Sequence, residues 1–169
     1  MKHLRVSIIW LFLLSPLLAC SLGGPMRADK KAEQYKFQGP KSNWSKADFE
    51  VDADHIFVSD RSGAVYSVNS LCDRYETASL KSLMKSVLAP LTDRRKVSER
   101  TFKFDGREAL QSRLKAKVDG ADVEVLATIL RKDDCIFDFN LQGADPLHAN
   151  DVKDYEATLN SFHYGKYQK

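Results

Sequence analysis

The stretch FKFDGREALQSRLKAKVDGADVEV, residues 102–125, holds two Asp-Gly pairs a strand length apart, Asp105-Gly106 and Asp119-Gly120. A two-residue hairpin turn needs positive φ at both central residues, and Asp-Gly adopts that conformation at low cost. Between the pairs polarity alternates. Leu110, Leu114, Ala116 and Val118 fall on one side of an extended chain, and Arg107, Arg113, Lys115 and Lys117 on the other. A period of two bounded by two turns is the middle strand of a meander. A third turn at Lys132-Asp133-Asp134 extends it to four strands, over residues 97–104, 107–118, 121–131 and 135–142. In the last strand Cys135, Phe137, Phe139 and Leu141 point one way, Asp138 and Asn140 the other, so one face of the sheet is expected to be core.

Outward from the meander the elements change. Residues 54–59 and 64–70 are β-prone and flank Asp60-Arg61-Ser62-Gly63, a hairpin signal. Leu80, Leu83, Met84, Val87 and Leu88 then recur at helical spacing, with Thr77 or Ser79 as cap and Pro90 as limit. After Pro146 a second helix is expected over residues 151–162, capped by Asn150, with Val152, Tyr155, Leu159 and Phe162 on one side and a stop near Gly165. Hairpin, helix, meander, helix is an α+β layered domain: an antiparallel sheet packed against two helices. Trp44 is expected to open the packed structure, giving a single domain over 44–165 and a short tail, 166–169. This order, with the closing Leu159-Asn160-Ser161-Phe162, resembles the PsbP/Mog1-type fold, in which an antiparallel sheet lies between helices. That fold hosts photosystem accessory subunits, a Ran-binding factor and bacterial proteins of many kinds. The resemblance therefore implies an architecture and no single function.

The beginning of the chain has a different character. Lys2 and Arg5 precede an apolar run over residues 6–18, too short for a membrane-crossing helix of about 20 residues. Interrupted by Pro16, it has the form of a cleaved export signal over residues 1–19. Its end, Leu17-Leu18-Ala19-Cys20, resembles the lipobox of bacterial lipoproteins. The resemblance implies a lipid on Cys20, cleavage before it, and Cys20 as mature N-terminus. Stable anchoring takes two or more acyl chains, which such a modification supplies. Ser21 stands where an Asp tends to mark inner-membrane retention, which points to the outer membrane, facing the periplasm. Residues 20–43, with Gly23-Gly24-Pro25 and Gly39-Pro40, then form the lipidated end and a tether.

Export also orders the remaining cysteines. With Cys20 committed to lipid, Cys72 and Cys135 are most simply a disulfide, because neither C-x-x-C spacing nor nearby His ligands favour a metal or redox pair. Of the 169 residues and net charge +3, the signal carries Lys2 and Arg5 and no acid, so the mature chain is closer to neutral. Nothing here calls for nucleic acid. Charge is uneven along the sequence, basic from Arg94 to Lys117 and acidic beyond Gly120. Arg107, Arg113, Lys115 and Lys117 form a candidate basic interaction face, whose bland alternative is a solvated sheet face.

Other chemistry is thin. Asp52, Asp54 and His55 include metal-competent groups, but in extended chain His55 faces away from the two carboxylates. Asp133, Asp134 and Asp138 lack calcium-loop spacing and read as turn residues. His148 and His163 flank the last helix without a nucleophile beside them, and no G-x-S-x-G or phosphate-binding glycine loop is present. The aromatic residues Trp44, Phe57, Tyr66, Phe102, Phe104, Phe137 and Phe139 read as core, with a pocket between sheet and helix as the alternative for a few. The expectation is a membrane-anchored, non-catalytic accessory or adaptor that binds another envelope component, with no cofactor or metal beyond the lipid. The alternative is a module that binds a lipid or small hydrophobic ligand.

Overall fold

The computed structural model describes residues 30–49, 51–74 and 77–165. The signal region and Cys20 lie outside them. Nine elements follow in order: β1 (Trp44–Ala47), β2 (His55–Ser59), β3 (Val65–Cys72), α1 (Leu80–Val87), β4 (Thr92–Phe104), β5 (Arg107–Val118), β6 (Ala121–Lys132), β7 (Cys135–Ala144) and α2 (Ala149–Ser161). The strands form one antiparallel seven-stranded sheet in the order β1-β2-β3-β7-β6-β5-β4. After α1 the chain enters the far edge at β4 and zigzags inward until β7 pairs with β3. The three meander turns are as the sequence indicates, with positive φ at Asp105 and Gly106, Asp119 and Gly120, and Asp133 and Asp134. The fold is α+β, as expected.

Four expectations change. Both faces of the sheet are core, because β6 is buried continuously through its middle, Val123 to Leu130. Val125, Ala127 and Ile129 meet α1 through Leu83 and Met84, while Leu126 and Leu130 join Phe137, Phe139, Tyr155 and Leu159 on the α2 side. An apolar run without alternation is what a strand covered on both faces requires. The first meander strand begins at Thr92 rather than at residue 97. Helix α2 begins at Ala149 with His148 as N-cap, its ring accepting from the Asn150 amide at 3.3 Å, so Asn150 is inside the helix rather than its cap. Helix α1 has Ser79 as cap, accepting from the Ser82 amide.

The fourth change concerns the segment expected as tether. From Lys30 onward it lies on the domain. The Lys30 carbonyl accepts from the Cys72 amide at 2.7 Å, and Lys36 exchanges backbone bonds with His163. Tyr35 packs edge-on against Phe137 at 5.5 Å between ring centroids. Alternating Tyr35 and Phe37 pack against the aromatic core beside these backbone bonds, so packed structure starts well before Trp44. Cys72 and Cys135, opposite each other on β3 and β7, are joined by a disulfide at the seam between hairpin and meander.

Candidate functional site: an edge strand and a groove beside helix α1

The basic residues of β5 are engaged by acids one by one. Arg113 forms a two-pronged pair with Glu124 on β6, Nε to Oε1 at 2.8 Å and Nη2 to Oε2 at 3.1 Å. Glu124 also accepts from the Leu147 amide at 2.8 Å. The Arg113 guanidinium is the main reason that this buried carboxyl is held below the usual carboxylate range, and Glu124 in turn raises Arg113. Lys115 meets Asp145 at 2.6 Å, Lys117 meets Asp122 at 3.2 Å, and Arg107 lies 3.9 Å from Asp133. The two charge blocks of the sequence are thus folded against each other. Arg113, Lys115 and Lys117 do not present a uniform basic face, because the meander sets acids of β6 and the loop after β7 beside them.

The cationic surface lies one strand further out. β4 is the last strand of the sheet, thirteen residues long, and all but its final residues are exposed. It carries Arg94, Arg95, Lys96, Arg100 and Lys103 against Asp93 and Glu99. Lys96 pairs with Glu99 at 3.0 Å. Arg100 donates to Gln111 and reaches Glu156, with its guanidinium 5.0 Å above the Phe102 ring. Arg95 and Lys103 make no ion pair among the described residues. Pairing with β5 slips between Thr92 and Arg95 and again between Lys96 and Ser98, then runs unbroken from Ser98 to Phe104.

Helix α1 packs over β5 and β6 and reaches β4 at its C-terminal end, where Arg94 donates to the Leu88 carbonyl at 3.1 Å, and a groove runs along its flank. One part, of about 820 Å³, lies between Leu80 and Lys81 of α1 and Thr101, Leu110 and Ile136 of the sheet, with Arg74, Arg107 and Arg131 at its rim. A second part, of about 390 Å³, continues past Met84, Lys85 and Leu88, opposite Arg94 and Lys96 over Ser112 and Leu114. Lys81 borders both. The floor is apolar and the rim holds more cations than acids. Cations so placed have the chemistry to receive carboxylates or phosphates through charge-assisted hydrogen bonds, and Glu108, Asp133 and Asp134 share the rim with them. Among the described residues no histidine lines either part.

The remaining candidates have structural partners. Asp54 accepts from Tyr35 at 2.9 Å and from Ser70, and Lys31 bridges it to Asp52. His55 turns instead to the rings of Tyr35 and Phe37. Burial, chiefly, pushes the Asp138 carboxyl up to about 6, while Asn69 and Asn140 donate to it. His163 holds Asp105 at 2.8 Å. Among the described residues no group of three or more His, Cys, Asp or Glu is placed to hold a metal. Sequence reasoning placed Asp105 in a turn but missed the partners that it and Asp151 gather. Asp105, in the first Asp-Gly turn, also binds Lys132 and the Tyr164 amide, and so pins the chain after α2. Asp151, fully buried at the start of α2, gathers Ser59, Arg61 and Ser62 of the β2–β3 turn. An acid in the first turn of a helix was the available signal for the second.

No family model matches the chain, and no curated protein matches it. Solved structures do. LpqN, involved in cell envelope biogenesis of Mycobacterium tuberculosis, superposes with a TM-score of 0.59 at 10% identity, covering 80% of this chain and 86% of that one. Cyanobacterial PsbP (CyanoP) from Synechocystis sp. PCC 6803 gives 0.56 at 18% identity, over 88% and 99%. A Bacteroides thetaiotaomicron protein gives 0.57 at 12% identity over 78% of this chain and 45% of that one. At these identities the likeness speaks for architecture alone, and it agrees with the element order read from the sequence: this chain has a PsbP-like α+β fold.

Proposed function

We propose that this protein is a non-catalytic accessory protein of a bacterial cell envelope, held at the membrane by a lipid on Cys20 and binding another envelope component through β4 and the groove beside α1. The observation that carries the reading is β4 itself: a long, exposed, cationic edge beside an open groove, where β5 has its charges paired internally. Three further points support it. Leu17 to Cys20 fit a lipobox. No described helix is long and apolar enough to cross a membrane. A fold neighbour is a protein of cell envelope biogenesis. Ser21, standing where an Asp would mark inner-membrane retention, favours the outer membrane in a bacterium that has one.

The second reading, a module for a lipid or small hydrophobic ligand, would use the space between sheet and α2. Rings occupy that space: Phe162 packs edge-on against Phe137 and Phe139 and tilted against Phe104 at 5.0–5.5 Å, and Tyr66 edge-on against Tyr155 at 5.2 Å. The test is crosslinking of the full-length protein in cells, mild detergent extraction, and identification of everything retained, lipids included. The expected result is a stoichiometric envelope protein that is lost when β4 is reversed in charge. A lone chain carrying a defined lipid would overturn the proposal in favour of the second reading. For the anchor, Cys20→Ala is expected to move the protein from the membrane to the soluble fraction.

A further inference from the structure

We infer that the partner binds by laying an acidic, extended segment along β4 as an eighth strand of the sheet. The inference rests on the accessory reading above and narrows its partner to one kind of segment. In an antiparallel sheet every second residue of an edge strand aims its N–H and C=O away from the neighbour. The sheet has two such edges. β1 offers only the four residues Trp44–Ala47, whereas β4 offers thirteen. The two register slips fall before Ser98, so the regular template is residues 98–104. Strand addition satisfies a row of backbone groups at once, and this edge has length, regularity and exposure for it.

Charge selects the occupant. β4 carries five cations and two acids, and Arg95 and Lys103 are exposed without an ion-pair partner among the described residues. Two copies of β4 set side by side would oppose like charges, which disfavours a second copy of this chain. Residues 20–29 of the chain carry Arg27 and Asp29 and no net negative charge to complement the edge. An acidic strand from a partner complements it. Because α1 meets β4 where Arg94 reaches Leu88, outside residues 98–104, a strand added along those residues would run clear of that contact, and its side chains would border the groove near Thr101 and Lys81.

The experiment uses the full chain in detergent micelles and a synthetic peptide of alternating Glu and Val as probe, with amide hydrogen exchange as readout. At a peptide concentration of about ten times Kd, exchange at alternate residues between 98 and 104 is expected to slow by roughly tenfold. That period of two is the signature of strand pairing. Arg95→Glu with Lys103→Gln, which removes no ion pair among the described residues and sets no new acid opposite Glu108, is expected to weaken the probe by roughly tenfold or more at low salt. Polyglutamate of equal length and phosphatidylglycerol vesicles are the controls. Equal binding of polyglutamate without the alternating pattern would reduce the surface to plain electrostatics and overturn the inference. Binding to vesicles but not to the peptide would reassign β4 to lipid headgroups and overturn it too. An envelope protein still crosslinked in cells while β4 amides stay unprotected would sink strand addition and leave the accessory reading standing.

Discussion

Replacing Glu124 by Gln separates a basic face that docks from a basic strand that is clamped. The carboxylate accepts three hydrogen bonds, two from Arg113 and one from the Leu147 amide, at 2.8–3.1 Å, and the side chain is 3% exposed. A glutamine presents one oxygen in place of two, so one buried donor loses its acceptor, at about 1–3 kcal/mol. The surviving bonds become neutral acceptors, with a further loss of about 1 kcal/mol. Arg113 is 34% exposed, so water relieves much of the unpaired charge, and no full buried-ion penalty is added. The sum is about 2–4 kcal/mol, a fall of about 1–2 M in the urea midpoint. Because Glu124 is held below its ordinary range, its contribution is present above the unfolded carboxyl's pKa and lost as pH falls through the lower folded value. The difference between wild type and Glu124→Gln should therefore shrink in acid. Arg113→Met, combined in a double-mutant cycle, should return a coupling of about 1–2 kcal/mol. A loss below about 1 kcal/mol at neutral pH, or one that does not change on acidification, would refute the clamp. So would an Arg113→Met protein of unaltered stability that no longer binds its partner.

Asp105→Asn should free the segment after α2, because the carboxylate alone gathers Lys132, His163 and the Tyr164 amide. Burial pushes Asp105 up, but those hydrogen bonds outweigh it and hold the group low. Its contribution is thus present above the unfolded carboxyl's pKa and lost on acidification, with limited proteolysis beyond Phe162 as the assay. Reducing Cys72–Cys135, 63 positions apart, should cost about 4 kcal/mol in the loop-entropy model, read from thermal melts with and without reductant. Phe137→Ala should cost about 3–5 kcal/mol in denaturant titration, because the ring is fully buried against Phe162, Tyr164 and Tyr35.

The meander was legible because its turns are local chemistry. Asp105-Gly106 and Asp119-Gly120 carry their backbone conformation in their own residue types, and Asp133 and Asp134 adopt it as well. Helix α1 was legible from its apolar spacing for the same reason. What was less legible depends on residues distant in sequence. The unbroken burial of β6 could have been read from its apolar run, but the strong alternation of β5 drew attention to one face. The docking of residues 30–38 depends on His163 and Ser161 at the other end of the chain, and glycine and proline nearby gave the opposite impression. Arg113 and Glu124 sit eleven positions apart, in blocks of opposite charge that only the Asp119-Gly120 turn folds together.

That pairing explains where an interaction surface can lie. An antiparallel meander sets each strand beside its chain neighbour, so a basic strand followed by an acidic one neutralises itself. β5 had β6 and the loop after β7 to answer its cations. β4 has β5 on one side, also basic, and no strand on the other. Within the sheet its five cations have only Asp93 and Glu99 of the strand itself and Glu108 opposite Lys103 to set against them. The eight residues of α1 compound this, since they pack mainly on β5 and β6 and the helix end meets β4 at Arg94. The surface best suited to a partner is thus the strand left over by both devices: unpaired along its edge, met by α1 only near Arg94, and of one predominant charge.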